Sequence, residues 1–112
     1  DLQGAEVERC IVGLRGRIRA GSVLRNCVYM GADYWEGHFR DPGLQNPDLP
    51  RLGIGHDCLV EGAIIDKNAR IGDGVRIHNS QGKTEDEGEG YHIRDGIVVV
   101  HKNAVIPDGA EI

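Results

Sequence analysis

The sequence predicts an all-β fold, a parallel β-helix built from hexapeptide repeats, and three observations carry that prediction. The first is an internal repeat: KNARIGDGVRI (Lys67 to Ile77) returns 35 positions later as KNAVIPDGAEI (Lys102 to Ile112), with seven of eleven positions matching. The second is one aliphatic residue every six. It runs through Val12, Ile18, Leu24 and Met30, resumes as Ile54 and Val60, and slips by one residue. It then continues as Ile65, Ile71 and Ile77 and finishes as Val100, Ile106 and Ile112. The third is a companion column of small or medium uncharged residues (Gly16, Ser22, Val28, Cys58, Ile64, Ala69, Val75, Ala104, Ala110), with Asn, Asp and Gly between the two columns.

A period of six fits neither the helical repeat of about 3.6 nor the strand repeat of 2. It fits short strands meeting at tight corners, where every sixth side chain enters one stacked core. Aliphatic residues fill the coil centre. Small ones sit where two sides converge, and Asn, Asp or Gly tolerates the left-handed backbone of a corner. An ordinary sandwich of short strands would have no reason to hold one phase over several turns.

On the three-sided coil of known hexapeptide proteins, Val12, Ile18 and Leu24 open the sides of a first coil. The second begins at Met30, where a long loop intervenes from Gly31 to Gly53, and is completed by Ile54 and Val60. Ile65, Ile71 and Ile77 form the third. Its last side takes up a second loop, His78 to Gly96, whose acidic run Glu85, Asp86, Glu87 and Glu89 reads as a solvated surface. Val100 then lies one rung beyond Ile65. Lys67 therefore stacks on Lys102, Asn68 on Asn103 and Asp73 on Asp108, about 4.8 Å apart.

Composition bounds the rest. The 112 residues have room for a single domain with a thin core, and with only five aromatic side chains the core must rest on aliphatic rungs. The formal charge of −5 speaks against a nucleic-acid or anionic-membrane surface, and no apolar stretch is long enough to span a bilayer. Cys10, Cys27 and Cys58 are odd in number and lack CxxC spacing, so neither a disulfide framework nor a metal site is expected, and a reducing compartment is the default.

Two stacked ammonium groups about 5 Å apart repel by roughly 3 kcal/mol at an effective dielectric constant of 20. A bound phosphate or carboxylate would turn that repulsion into attraction. Lys67 and Lys102 are therefore candidates for an anion site, which Arg70, His78 and His101 could widen. The simpler reading is that both lysines are soluble turn residues that swing apart. The stacked Asp73 and Asp108 favour it, since they place like charges together with no ligand in prospect.

CIVGLRGRI (Cys10 to Ile18), MGADYWE (Met30 to Glu36), GIG (Gly53 to Gly55), IIDKNARIG (Ile64 to Gly72) and GIVVVHKNAVIPDG (Gly96 to Gly109) span nearly the whole chain in order. Together they resemble the C-terminal domain of ADP-glucose pyrophosphorylase (glucose-1-phosphate adenylyltransferase), most closely its cyanobacterial and plant branch. The resemblance implies a left-handed β-helix packed on a catalytic nucleotidyltransferase domain. It also implies a homo- or heterotetramer in the cytoplasm, or the plastid stroma of a plant. The parent enzyme makes ADP-glucose and pyrophosphate from ATP and glucose 1-phosphate, with Mg2+, for glycogen or starch synthesis. Its β-helix helps assemble the tetramer and forms part of an allosteric site for a phosphorylated effector, 3-phosphoglycerate or phosphate in this branch. Two lysines of the family's activator site fall at Lys67 and Lys102.

No catalytic residue, cofactor site or metal site is expected in the chain. The Gly-rich nucleotide loop and metal-binding aspartates of the family's catalytic half are absent from these 112 residues. The sequence reads as a fragment that begins inside the β-helix at Asp1 and ends at a natural terminus, inactive by itself. His101 stands where the family more often has an aliphatic residue, and GHFRDPGLQNPDLPRL departs from the usual insert, which leaves effector preference open. Other readings are a hexapeptide acyltransferase using one of His38, His56, His78, His92 or His101, a zinc hydratase on the same scaffold, and a purely structural assembly module. None of the histidines shows ligand spacing such as HxxxH.

Overall fold

A computed structural model describes residues 4–33 and 50–112. Its strands are β1 (Glu6–Glu8), β2 (Ile11–Val12), β3 (Val23–Arg25), β4 (Val28–Tyr29), β5 (Gly53–Ile54) and β6 (Leu59–Glu61). They continue as β7 (Ala63–Ile65), β8 (Arg70–Ile71), β9 (Arg76–Ile77), β10 (Glu85–Gly88), β11 (Tyr91–Arg94), β12 (Ile97–Val100) and β13 (Val105–Ile106). Three faces wrap one core. The first stacks β1, β3, β6 and β9; the second stacks β2, β4, β7 and β12; the third stacks β5, β8 and β13, extended by a parallel bridge from Ile18 to Ile54.

Every pairing within those stacks is parallel and in register, so each face has one inward column. Val7, Leu24, Val60 and Ile77 line the first face. Val12, Tyr29, Ile65 and Val100 line the second. Ile18, Ile54, Ile71 and Ile106 line the third. The interior members are fully buried, whereas Val12, at the end of its column, is 37% exposed.

The first coils differ from the hexad count in one respect. Tyr29, not Met30, enters the core: Tyr29 is 1% exposed and Met30 39%. The step from Leu24 to Tyr29 is therefore five residues, like that from Val60 to Ile65 and from Val7 to Val12. The slip seen once in the sequence is a shorter side that recurs at the same corner. Uninterrupted coils take 17 residues, the separation of the stacked corner residues Arg9 and Asn26. Counted from Val7, which stacks on Leu24, Leu24 opens the second coil; counted from Val12 it closes the first. The Tyr29 hydroxyl, too polar to be left bare inside, accepts the Arg17 N–H at 3.3 Å.

The segment 78–96 is a second correction. Residues 78–84 are irregular as expected, but from Glu85 the segment forms antiparallel strands, β10 pairing with β11 and β11 with β12, which carries the second face to six strands. Asp95-Gly96 turns the chain between β11 and β12 with φ of 52° and 78°, the left-handed pair that tight hairpin turns require. Ile93 anchors the hairpin at 4% exposure opposite Val98, while Lys83 pairs with Asp86 at 2.8 Å. Of the predicted loop from Gly31 to Gly53, residues 34–49 lie outside the described residues.

Corners use left-handed residues, as at Asn26 (φ 52°), Asp57 (φ 55°) and Asn68 (φ 64°). Where the third face turns into the first, the aspartates also cap backbone. Asp73 Oδ1 accepts the His56 N–H and Asp108 Oδ1 accepts the Asp73 N–H, both at 2.8 Å. Each carboxylate thus satisfies a donor one rung away, which accounts for the like-charged stack. Gly72 leaves room for this cap: a Cβ there would lie 2.6 Å from the Asp108 nitrogen and collide with Oδ1.

Column position sets the cost of truncation. Ile65→Ala should destabilise the fold by about 2–5 kcal/mol, and Val12→Ala in the same column by about 0.5 kcal/mol or less. Urea midpoints at constant m-value measure both, and equal costs would contradict the observed register.

Candidate functional site

The two KNA corners meet where the second face turns into the third. The Asn103 N–H donates to the Lys67 carbonyl at 3.0 Å, and one rung earlier the Asn68 N–H donates to the Gly31 carbonyl at 3.1 Å. These bonds align Gly31, Lys67 and Lys102 along one edge. Asn68 and Asn103 hold the corner at φ of 64° and 62°, where asparagine is among the few tolerated side chains. Both lysines are exposed.

Asp33, which the sequence reading did not single out, completes this edge. Its N–H donates to Asn68 Oδ1 at 2.9 Å, and Asn68 Nδ2 donates back to Asp33 Oδ2 at 3.2 Å. The other carboxylate oxygen meets Lys67 Nζ at 3.3 Å. The Asn68 hydrogen bond, then the Lys67 ammonium and the more distant charge of Lys102, hold the Asp33 carboxyl below the usual aspartate range. Among the described residues no carboxylate lies within 4.0 Å of Lys102. Arg15 adds a third cation, its Nη1 donating to the Ala32 carbonyl at 3.4 Å.

The other candidates separate. His101 adjoins Lys102, and its Nε2 lies 2.8 Å from Nδ1 of His92 on β11, so the hairpin brings a second imidazole to the neighbourhood. Arg70 does not join the exposed edge. It is 5% exposed and its Nη1 donates to the Pro50 carbonyl at 2.9 Å, because a guanidinium this deep must find acceptors. Arg19, 3% exposed, likewise binds the carbonyls of Ile54 at 3.2 Å and Leu52 at 3.1 Å. Both arginines brace the chain where it rejoins the third face. His78 sits at a different corner, between the first and second faces, with Nε2 3.7 Å from the Glu111 carboxylate.

A cavity of about 490 Å³ opens on the third face, lined in part by Arg19, Arg51, His56 and Asp73. Neither lysine reaches it. Its two carboxylates are already engaged: Asp73 accepts the His56 N–H and lies 3.3 Å from His56 Nδ1, and Asp108 accepts the Asp73 N–H. Among the described residues, no group of three or more His, Cys, Asp or Glu is placed to hold a metal ion.

Residues 1–110 match the family described as the GLGC left-handed parallel beta-helix domain. The chain belongs to that family. Its coil is thus left-handed, opposite to the usual hand of parallel crossovers. GLGC domains belong to glucose-1-phosphate adenylyltransferase, the nucleotidyltransferase also called ADP-glucose pyrophosphorylase, so this chain is a β-helix domain of the ADP-glucose pyrophosphorylase type.

Because the folded chain favours the Asp33 carboxylate, whatever the Asp33–Lys67 contact contributes is present above the ordinary aspartate range. It is lost as pH falls through the depressed value. In an NMR carboxyl titration, Asn68→Gly should raise the Asp33 midpoint toward its ordinary value, and Lys67→Met should raise it less. A midpoint unmoved by either change would show that the contact is not populated.

Proposed function

We propose that this chain is the regulatory and assembly domain of an ADP-glucose pyrophosphorylase, and that Lys67 and Lys102 hold an anionic metabolite effector. The parent reaction joins ATP and glucose 1-phosphate into ADP-glucose and pyrophosphate, with Mg2+ and ATP bound in a catalytic domain outside these residues. The observation carrying the proposal is the edge itself: two ammonium groups on consecutive rungs, with one intramolecular carboxylate already seated on Lys67. A surface that holds Asp33 this way has the charge and donors to hold a phosphate or carboxylate in its place.

A phosphorylated acid such as 3-phosphoglycerate suits the edge better than a simple monoanion. One of its charged groups can engage Lys102, while the other competes with Asp33 for Lys67. Coupling to catalysis requires that the bound anion favour one of two arrangements of the catalytic domain. The assembly half of the reading draws support from the outer side of the second face. There Ile11 is 68% exposed and shares a register column with Val28, Ile64 and Val99, an apolar strip suited to packing against other parts of the tetramer.

Hydrogen bonds to charged groups are worth about 1.5–3 kcal/mol. Lys102→Glu in the intact enzyme should therefore raise the 3-phosphoglycerate concentration for half-activation about tenfold or more. Activation is expressed relative to the turnover each enzyme shows without effector. Unchanged activation would refute the assignment and leave the purely structural assembly module.

A further inference from the structure

Cys10 and Cys27 face each other across the first two coils. Ile11 of β2 pairs with Val28 of β4, and the Ile11 N–H donates to the Cys27 carbonyl at 3.1 Å, so the two cysteines occupy equivalent positions on consecutive rungs. Their Sγ atoms are 3.1 Å apart. In-register neighbours are separated by about 4.8 Å, inside the Cα spacing of about 4.4–6.8 Å that a disulfide tolerates. Closing the remaining gap to a bond of about 2.05 Å needs only side-chain rotation of about 1 Å.

We propose that Cys10 and Cys27 are an oxidisable dithiol that closes into an intrachain disulfide, stapling the first coil to the second. The oxidant is a small-molecule disulfide of the glutathione type. Cys10 is half-buried and Cys27 is 4% exposed, so attack begins at Cys10. The Cys10 thiolate forms a bond to one glutathione sulfur, breaks the glutathione disulfide and releases one glutathione thiol. Cys27 then gives up its proton to solvent and attacks Cys10 Sγ, releasing the second glutathione thiol. Two protein thiols are oxidised and one glutathione disulfide is reduced to two thiols, so the exchange balances. Burial, the largest cause, pushes the Cys27 thiol up from its ordinary value and still acts once Cys10 carries the glutathione, which slows the second step near neutral pH.

The third cysteine serves as an internal control. Cys58 is 2% exposed on a different column, where its Sγ lies 3.0 Å from the Gly72 carbonyl. Beyond Cys27 the column continues with Ala63, so no third thiol can exchange within the stack. In a reducing compartment such a bond forms transiently, as a response to oxidative conditions and not as a permanent staple.

The test is to incubate the full-length protein with oxidised glutathione, alkylate free thiols in acid-quenched denaturant, digest with trypsin and identify linked peptides by mass. The expected product joins peptide 10–15 to peptide 26–40 with the loss of two hydrogens, leaves Cys58 alkylated in peptide 52–67, and disappears after dithiothreitol. In Cys27→Ser the glutathione should remain on Cys10 as a stable mixed disulfide. Recovery of both cysteines in alkylated form, or a Cys10 linkage that joins two chains on a non-reducing gel, would overturn the proposal.

Discussion

Rung-on-rung register is the constraint on which everything else in this domain depends. A chain this small cannot build a thick core, so its stability rests on columns in which each aliphatic side chain covers the one before it. Burying one such side chain completely is worth about 1.5–3 kcal/mol. Ile18, Leu24, Ile54, Val60, Ile65, Ile71, Ile77 and Val100 are all at 0 or 1% exposure, so the burial is nearly complete along the interior rungs. Register also governs the backbone, because N–H groups of the coil strands find acceptors one coil away, as Leu59 does at the Val75 carbonyl. A shift by one residue would turn every inward side chain outward and break those ladders together.

The same register acts without regard to chemistry, and the polar corners show how the conflict is resolved. It stacks Asp73 on Asp108 as surely as Ile71 on Ile106. The aspartates settle by accepting backbone N–H groups, and Gly55 and Gly72 stay bare of Cβ so that the carboxylates can lie against the chain. Among the described residues neither lysine ammonium is hydrogen-bonded to corner backbone. Their compensation comes from Asp33, supplied where the chain leaves the second coil and held in place by Asn68.

Much of this was legible in the sequence, and the reasons are physical. Period six exposes itself because one column tolerates only aliphatic residues, and the repeated KNA corner fixes the separation of 35 residues that stacks Lys67 on Lys102. Tyr29 was passed over for Met30 because the count assumed equal sides, whereas the corner between the first two faces is one residue shorter. The hairpin was passed over because its acidic residues dominate its composition, although Asp95-Gly96 between Tyr91–Arg94 and Ile97–Val100 carried the turn signal. Asp33 and the burial of Arg70 could not be read at all. Both depend on where an insert leaves and rejoins the coil, and no periodicity describes that. Left-handedness followed from the resemblance alone.

Asp33 also bears on what kind of anion the proposed edge would select. Two lysines and the single carboxylate on Lys67 leave the edge with excess positive charge, carried at Lys102, which has no carboxylate within 4.0 Å among the described residues. An incoming ligand must either add charge at Lys102 with Asp33 in place, or displace Asp33 and neutralise both lysines itself. The first route suits a compact monoanion and leaves Asp33 on Lys67. The second needs at least two negative charges and releases the Asp33 carboxylate from Lys67, so only a multiply charged ligand can couple its own binding to a rearrangement at Asp33. On the proposed reading, the carboxylate that pairs with Lys67 is also what makes the edge discriminate between ligands by charge.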